Sequence, residues 1–319
     1  MAGNSSFDDI ISTTLQNYAP RIQDNIFQQI PTWNWLKQAG NVKILRGGRK
    51  IVLPIQEAKN GTAESYSGYG LLSSTPSAEF TAAEYDIRQY TVFISINGLE
   101  EFQNQADWQV VDLLDSKTKS AESSLADKLS TDTFAAQSGN NLDGLQSLVS
   151  DDGTGTVGGI SASTSTYWAN KYYGTVGSFA ANGITKMRSL LNDCTFGSES
   201  PDYIVTTQTV YEYFQARTEA REAYVFVGNG GNKMNVGQEA LSFHTRPVLF
   251  DRACSSGRMY MLNSKHLWLY MAAGKNFTTT QFLPMTINGQ DAKVARIFFY
   301  GNLVTDERRK QGVLSGITA

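Results

Sequence analysis

Two histidines and two cysteines are all that this 319-residue chain offers as soft metal ligands or thiol nucleophiles. His244 and Cys254 lie nearest one another, and that spacing is not that of a zinc site. His244, His266, Cys194 and Cys254 therefore read as structural or partly exposed residues, and no metal is expected. No Gly-x-Ser-x-Gly turn is present to raise a serine nucleophile. The run GNGGNK (228–233) has the glycines of a phosphate loop but neither the spacing nor the Lys-Ser/Thr ending of one, so a surface loop is the reading. RGGRK (46–50) is basic enough to hold phosphate, and a hinge explains it more simply. The pairs Asp151-Asp152 and Glu100-Glu101 are sequence neighbours, which points their carboxylates apart. Arg308-Arg309-Lys310 reads as a solvated charge run. A nucleophile, a base and an orienting group converge nowhere, so neither catalysis nor a cofactor is expected.

Composition narrows the remaining classes. A hydrophobic fraction of 41% with 18% charged residues describes a folded chain with a sizeable core. A net charge of −3 gives no general attraction to nucleic acid or to anionic membranes. Two cysteines do not make a disulfide framework, and MAGNSSFDDII lacks the basic start and apolar run of a signal peptide. No stretch approaches the length of a membrane span. A cytosolic protein without a membrane partner is expected.

The elements fall in a definite order. Residues 1–46 look like a helical arm, with Ser6 and Asp9 at capping-box spacing and Trp33 and Trp35 as apolar anchors near its end. RKIVLPI (49–55) and FTAAEYDIRQYTVFISI (80–96) alternate like strands around a Gly/Ser/Tyr tip, giving an extended hairpin over 47–96. Such a hairpin needs another surface to support it. Asn97-Gly98-Leu99-Glu100 has the form of a helix cap. A long helix follows over 107–137, with a thin apolar seam of Trp108, Val111, Leu114, Ala121, Leu125 and Leu129 at three- and four-residue steps. From 178 the pattern turns α/β. A helix is expected around Ile184, Met187, Leu190 and Leu191, with strands at 201–207, 246–251, 258–264 and 266–271 and a helix at 208–218, and TTQFLP, AKVARIFFYGNLVTDER and a short tail are the last elements.

This order resembles the major capsid protein of tailed bacteriophages, an α+β architecture known as the Hong Kong 97-like fold. Local stretches carry the resemblance. Gly158-Gly159-Ile160 with Trp168 is similar to a stretch common in one branch of the family, although Ser161 stands where an acidic residue often follows. PDYIVTTQTVYEYF (201–214), SFHTRPVLFDRACSSGRMYMLN (242–263) and ARIFFYGNLVTDERRKQGVL (295–314) resemble the family's later segments.

The resemblance implies an N-terminal arm (1–46), an extended hairpin loop (47–96), a peripheral domain (97–170) holding the spine helix, an axial domain (171–290) and a return to the peripheral domain (291–319). It implies self-assembly of pentamers and hexamers into an icosahedral virion shell around double-stranded DNA held by non-specific contact, built in the host bacterial cytoplasm. Trp33, Trp35, Arg46, Arg49, Lys50, Lys59, Tyr66 and Tyr69 are then the expected contacts between subunits. A separate scaffolding protein, a portal and decoration proteins are the implied partners. Neither covalent crosslinking nor removal of an N-terminal segment is expected. Three other readings stay open: a nanocompartment shell of the same fold, an α/β enzyme with an unrecognised site, and another virion protein such as a tail tube.

Overall fold

The structure, a computed structural model, describes residues 29–72, 79–103, 107–219, 241–285 and 291–319; over 101–103, 107–115 and 218–219 the description is of the backbone alone. The first helices of the arm, the loop GNGGNK and the side chains of Trp108, Val111 and Leu114 lie outside it.

The first described element is the helix Pro31–Gln38, opened by Pro31 in its first turn, where a missing N–H costs nothing. Thr32, Trp33, Trp35 and Leu36 are buried. Trp33 Nε1 donates to Thr133 Oγ1 at 2.9 Å, and its ring meets Phe299 at 5.4 Å. Trp35 stacks on Tyr203 at 4.3 Å. These anchors are therefore spent inside the chain's own core, which corrects their assignment to a neighbouring subunit. With 0% and 7% of their surfaces exposed, Trp33 and Trp35 leave little of either ring for a partner.

The chain continues through β1 (Val42–Leu45), β2 (Lys50–Gln56), β3 (Phe80–Asp86) and β4 (Arg88–Asn97). Among the described residues β2 and β3 pair only with each other, from Lys50↔Asp86 to Gln56↔Phe80. β4 instead runs along the closing strand. The hairpin thus ends at Asp86, and 88–96 belongs to the main sheet rather than to the extended loop. Alternation passes through Ile87 without a Gly or Pro, so nothing in the residue pattern marks the break.

Asn97 and Glu100 form the expected cap, with Asn97 Oδ1 accepting from Leu99 N and Glu100 Oε2 accepting from Asn97 N, each at 3.3 Å. After the short helix Gly98–Gln103 comes the long helix Asp107–Phe134, 28 residues and so about 42 Å. Its buried stripe includes Ala121, Leu125 and Leu129, as expected, but also Thr118, Glu122, Ala126, Asp132, Thr133 and Phe134. Of the polar members, Asp132 is bonded to the sheet. Asp132 accepts from Tyr90 Oη at 2.8 Å and from Lys128 Nζ at 2.8 Å, and Tyr90 Oη in turn accepts from Leu142 N at 2.8 Å. Gly144 closes against the last turn. A Cβ there would stand 2.2 Å from the Ala135 carbonyl oxygen and 2.3 Å from that of Asp132.

The remaining strands are β5 (Thr156–Val157), β6 (Ile160–Ser161), β7 (Lys171–Tyr173), β8 (Gly177–Ser178), β9 (Tyr203–Thr206), β10 (Leu241–Phe243), β11 (Arg246–Phe250), β12 (Met259–Leu262), β13 (Leu267–Thr279), β14 (Leu283–Pro284), β15 (Ala292–Thr305), β16 (Gly312–Leu314) and β17 (Ile317–Thr318). Helices Ile184–Asp193 and Gln208–Glu219 flank β9 in sequence.

Two larger sheets organise the fold. The first has the order β1-β13-β15-β14, with β4 also on β15. Its strands β13 and β15 are 13 and 14 residues long, and Tyr90, Ile94, Ile297 and Phe299 are buried on it in the same core as the long helix. The second has the order β10-β11-β9-β12-β16-β7. Its two faces enter different cores. Tyr203, Val205, Tyr260 and Leu262 join the core under the long helix, while Ile204, Met259 and Met261 pack with Met187, Leu190, Val210 and Phe214 of the two flanking helices. Burial on both faces is why YIVT and MYML carry no polar alternation.

β13 rejoins the first sheet at Leu267, so the return to that layer begins there and not at 291. β16 then crosses back into the second sheet. The long apolar strands draw β13 into the first sheet, because β15 gives it a partner over most of its length. Arg308 and Lys310, expected in a solvated run, are buried in the second crossover. Arg308 donates to the Leu148 carbonyl at 2.8 Å and to Asn170 Oδ1 at 3.0 Å. A buried cation needs such acceptors, and they come from segments more than a hundred residues away in sequence.

Candidate assembly surface

The hairpin stands on a base made from distant parts of the chain. Its inner residues Ile51, Leu53, Ile55, Ala83 and Tyr85 are buried, the alternation that a half-covered ribbon requires. Tyr85 Oη donates to the Thr305 carbonyl at 2.7 Å, and Glu84 N donates to the Gly158 carbonyl at 2.9 Å. Gly158 turns the β5–β6 hairpin with φ +59°, and a Cβ on it would lie 2.7 Å from Ala83 Cβ. Both facts favour glycine. Trp168, with 1% of its surface exposed, holds the same turn from behind by donating its Nε1–H to the Val157 carbonyl at 3.0 Å. The Gly-Gly-Ile…Trp stretch is thus the seat of the hairpin.

The outer face is different. Val52 is 55% exposed, Tyr66 67%, Tyr69 106%, Leu71 98%, Leu72 61% and Phe80 72%. These are six of the eleven large exposed hydrophobic residues described, and all lie between positions 52 and 80. Val52 and Phe80 lie on the open face of the strands and the other four in the loop that joins them, a concentration of exposed apolar surface such as contact surfaces carry. At the tip, Asn60 Oδ1 accepts from Thr62 N at 2.9 Å, which shapes the Asn60-Gly61 turn. Arg46, Arg49, Lys50 and Lys59 are exposed along the same arm and hairpin, with Lys50 Nζ 2.8 Å from Glu84 Oε2. Of the expected contacts, Lys50, Lys59, Tyr66 and Tyr69 are exposed on the hairpin and its loop, Arg46 and Arg49 are exposed in the segment before it, and the two tryptophans are buried. Val52, Leu71, Leu72 and Phe80 escaped the sequence reading, although the odd–even alternation of KIVLPIQ already placed Val52 on the face opposite Ile51.

The groups that could do chemistry are tied down. Burial pushes the Cys254 thiol up to about 12 and the Cys194 thiol higher still, which disfavours a thiolate nucleophile at either. Asp151 binds Arg258 at 2.6 Å, whereas Asp152 turns to Thr154 N at 3.0 Å, so the two carboxylates do diverge. Glu199, His266 and Glu307 bring three ligand-type atoms within 4.8 Å of one another. The Lys310 ammonium already stands among them, 2.6 Å from Glu307 Oε2 and 3.0 Å from His266 Nε2 and in close contact with Glu199. That ammonium holds the Glu199 carboxyl down to about 2 and takes the place a metal ion would need. Among the described residues, no helix is long and apolar enough to cross a membrane.

No protein-family model matches this sequence, and no curated protein matches it either. Solved structures do match its fold. The cyanophage A-1(L) capsid asymmetric unit aligns with a TM-score of 0.66 at 16% identity, over 89% of this chain and 93% of that one. The capsid of a native GTA particle aligns with a TM-score of 0.63 at 8% identity, over 89% and 90%. The holo-SrpI encapsulin complex from Synechococcus elongatus PCC 7942 aligns with a TM-score of 0.57 at 9% identity, over 89% and 87%. At such identities the likeness is one of fold.

Proposed function

From a chain that has the Hong Kong 97-like capsid fold, we propose a major capsid protein of a bacteriophage. In this reading it assembles as pentamers and hexamers into an icosahedral shell around double-stranded DNA. The observation that carries the proposal is the hairpin, seated firmly at its base and apolar on the face that its own chain leaves open. Laying Val52, Tyr66, Tyr69, Leu71, Leu72 and Phe80 on an adjacent subunit removes those side chains from water. Each contributes about 1.5–3 kcal/mol when fully buried, before the cost of association.

The long helix and the first sheet form the peripheral layer in this reading, and the second sheet with its two helices forms the axial one. Arg46, Arg49, Lys50, Lys59, Tyr66 and Tyr69 are the polar and aromatic contacts of the hairpin. The protein resides in the virion, after assembly in the host cytoplasm with a scaffolding protein, a portal and decoration proteins as partners. DNA is held by contacts that do not read sequence.

The encapsulin match favours one second reading, a protein shell around a protein cargo. Electron microscopy of the chain expressed with and without its neighbouring genes tests both. Closed particles that protect DNA from nuclease support the capsid, closed particles with protein cargo and no DNA support the second reading, and a small discrete oligomer in both preparations refutes both.

A further inference from the structure

The chain passes between its two large sheets twice near the C-terminal end, from β12 to β13 across residues 262–267 and from β15 to β16 across 305–312. These crossovers are bonded to each other. Gln311 Oε1 accepts from Asn263 N at 2.8 Å, and Thr305 Oγ1 donates to the His266 carbonyl at 2.7 Å. His266 sits in the first crossover with its side chain 15% exposed and a carboxylate on each ring nitrogen. Nδ1 is 2.9 Å from Asp306 Oδ1, and Nε2 is 3.0 Å from Glu199 Oε2. Glu199 belongs to a tight turn, Phe196↔Glu199, that leads into β9 of the second sheet.

The other charges facing the ring are Glu307 Oε2 at 3.7 Å from Nε2 and Lys310 Nζ at 3.0 Å from the same nitrogen. Lys265 Nζ lies 3.7 Å from Glu199 Oε1, and Arg309 is paired with Glu307.

The ring therefore has two ways to satisfy its surroundings. As imidazolium it donates from Nδ1 to Asp306 and from Nε2 to Glu199. As neutral imidazole it keeps the Asp306 bond, and Nε2 becomes an acceptor that Lys310 can serve. The lone pair then faces the Glu199 carboxylate, and the His266 bond to the 196–199 turn is lost, leaving Glu199 held by Lys310 and Lys265.

We propose that His266 is a proton-controlled latch, adding its own bond between the 196–199 turn and the crossovers when protonated and loosening that turn, without freeing it from Lys310 and Lys265, when neutral. This goes beyond the shell reading and does not depend on it. Burial of the ring opposes its charging, but the Asp306 and Glu199 bonds outweigh that and raise its affinity for a proton above the ordinary value. The sign follows. A raised native value adds stability that is fully present below the ordinary histidine value, near 6.5, and is lost as pH rises through the native one.

The test is hydrogen exchange of the full chain from about pH 5.5 to 8, read at the Phe196 and Glu199 amides and corrected for intrinsic exchange. Protection should fall with rising pH, by up to about tenfold per unit for one linked proton. His266→Gln should abolish that slope, and His244→Gln should leave it unchanged. In the His244→Gln chain the remaining ring resonance should titrate above the ordinary value, and Glu199→Gln should lower it. These two readings decide the matter if His266→Gln does not fold. A flat wild-type profile, a slope that survives His266→Gln in a folded chain, or a ring that titrates at or below the ordinary value overturns the proposal.

Discussion

Replacing Leu125 by glutamate tests the register of the long helix more sharply than any truncation. Leu125 is 3% exposed and lies between Ala121 and Leu129 on the buried stripe. Losing the apolar side chain removes about 1.5–3 kcal/mol of burial. The new carboxylate adds several kcal/mol of desolvation unless a cation meets it. Lys128, the basic residue one turn away, is already held by Asp132 at 2.8 Å. Glu122 is itself buried on the same stripe and repels a second carboxylate. The sum, on the order of 5 kcal/mol, is comparable to the whole stability of a domain.

The loss must also depend on pH. A buried glutamate has its native value raised, so the destabilisation is present above the ordinary carboxylate range and vanishes as pH falls through it. Urea denaturation followed by circular dichroism at about pH 5 and 8 measures this, with Leu125→Ala as the uncharged comparison and Ser123→Glu on the exposed face as the control. The alanine variant should lose about 2–5 kcal/mol at both pH values, and the control should stay within about 0.5 kcal/mol. A Leu125→Glu chain as stable as the control would refute the placement of the seam.

Trp33→Phe keeps most of the ring packing and removes the bond to Thr133 Oγ1, which still donates to the Leu129 carbonyl at 2.7 Å, so it should cost about 0.5–1.5 kcal/mol of folding stability, seen in the same denaturation assay. Gly158→Ala puts a methyl against Ala83 in a left-handed backbone, and a loss of about 1–3 kcal/mol with faster proteolysis within 50–86 is expected. Tyr69→Ser combined with Leu71→Ser should leave the melting temperature of the isolated chain unchanged while cutting the yield of closed particles, measured by sedimentation and microscopy. Particle yield equal to wild type would remove the hairpin's outer face from the assembly reading.

The sequence discloses elements whose partners are local. Met187, Leu190 and Leu191 repeat at helical steps, and the helix Ile184–Asp193 is where they put it. The long helix is equally legible, because apolar residues recur at helical steps over about six turns of sequence, from Trp108 to Leu129. What stayed hidden depends on contacts between residues far apart. Nothing around Arg308 announces that its acceptors sit at Leu148 and Asn170, so a buried cation looks like a solvated one. Nothing around Ile87 announces that Arg88–Asn97 will leave the hairpin for β15. The same holds for the surface. Alternation places Val52 on the outer face, but only the tertiary seat at Gly158 and Thr305 makes that face an open one.

That seat also sets an order in time. The first third of the hairpin leaves the ribosome early, yet its base is completed by Thr305, and β1 closes onto residues 269–272 of β13. At about 5–20 residues per second, more than two hundred residues of synthesis separate these partners by roughly 10–50 s. Until then the early strands rest on the Gly158 turn alone. A chain cut short before β15 lacks the Thr305 anchor of its hairpin and the central strand of its first sheet. The full base under the hairpin is therefore set late, by residues that close the fold from the other end of the chain.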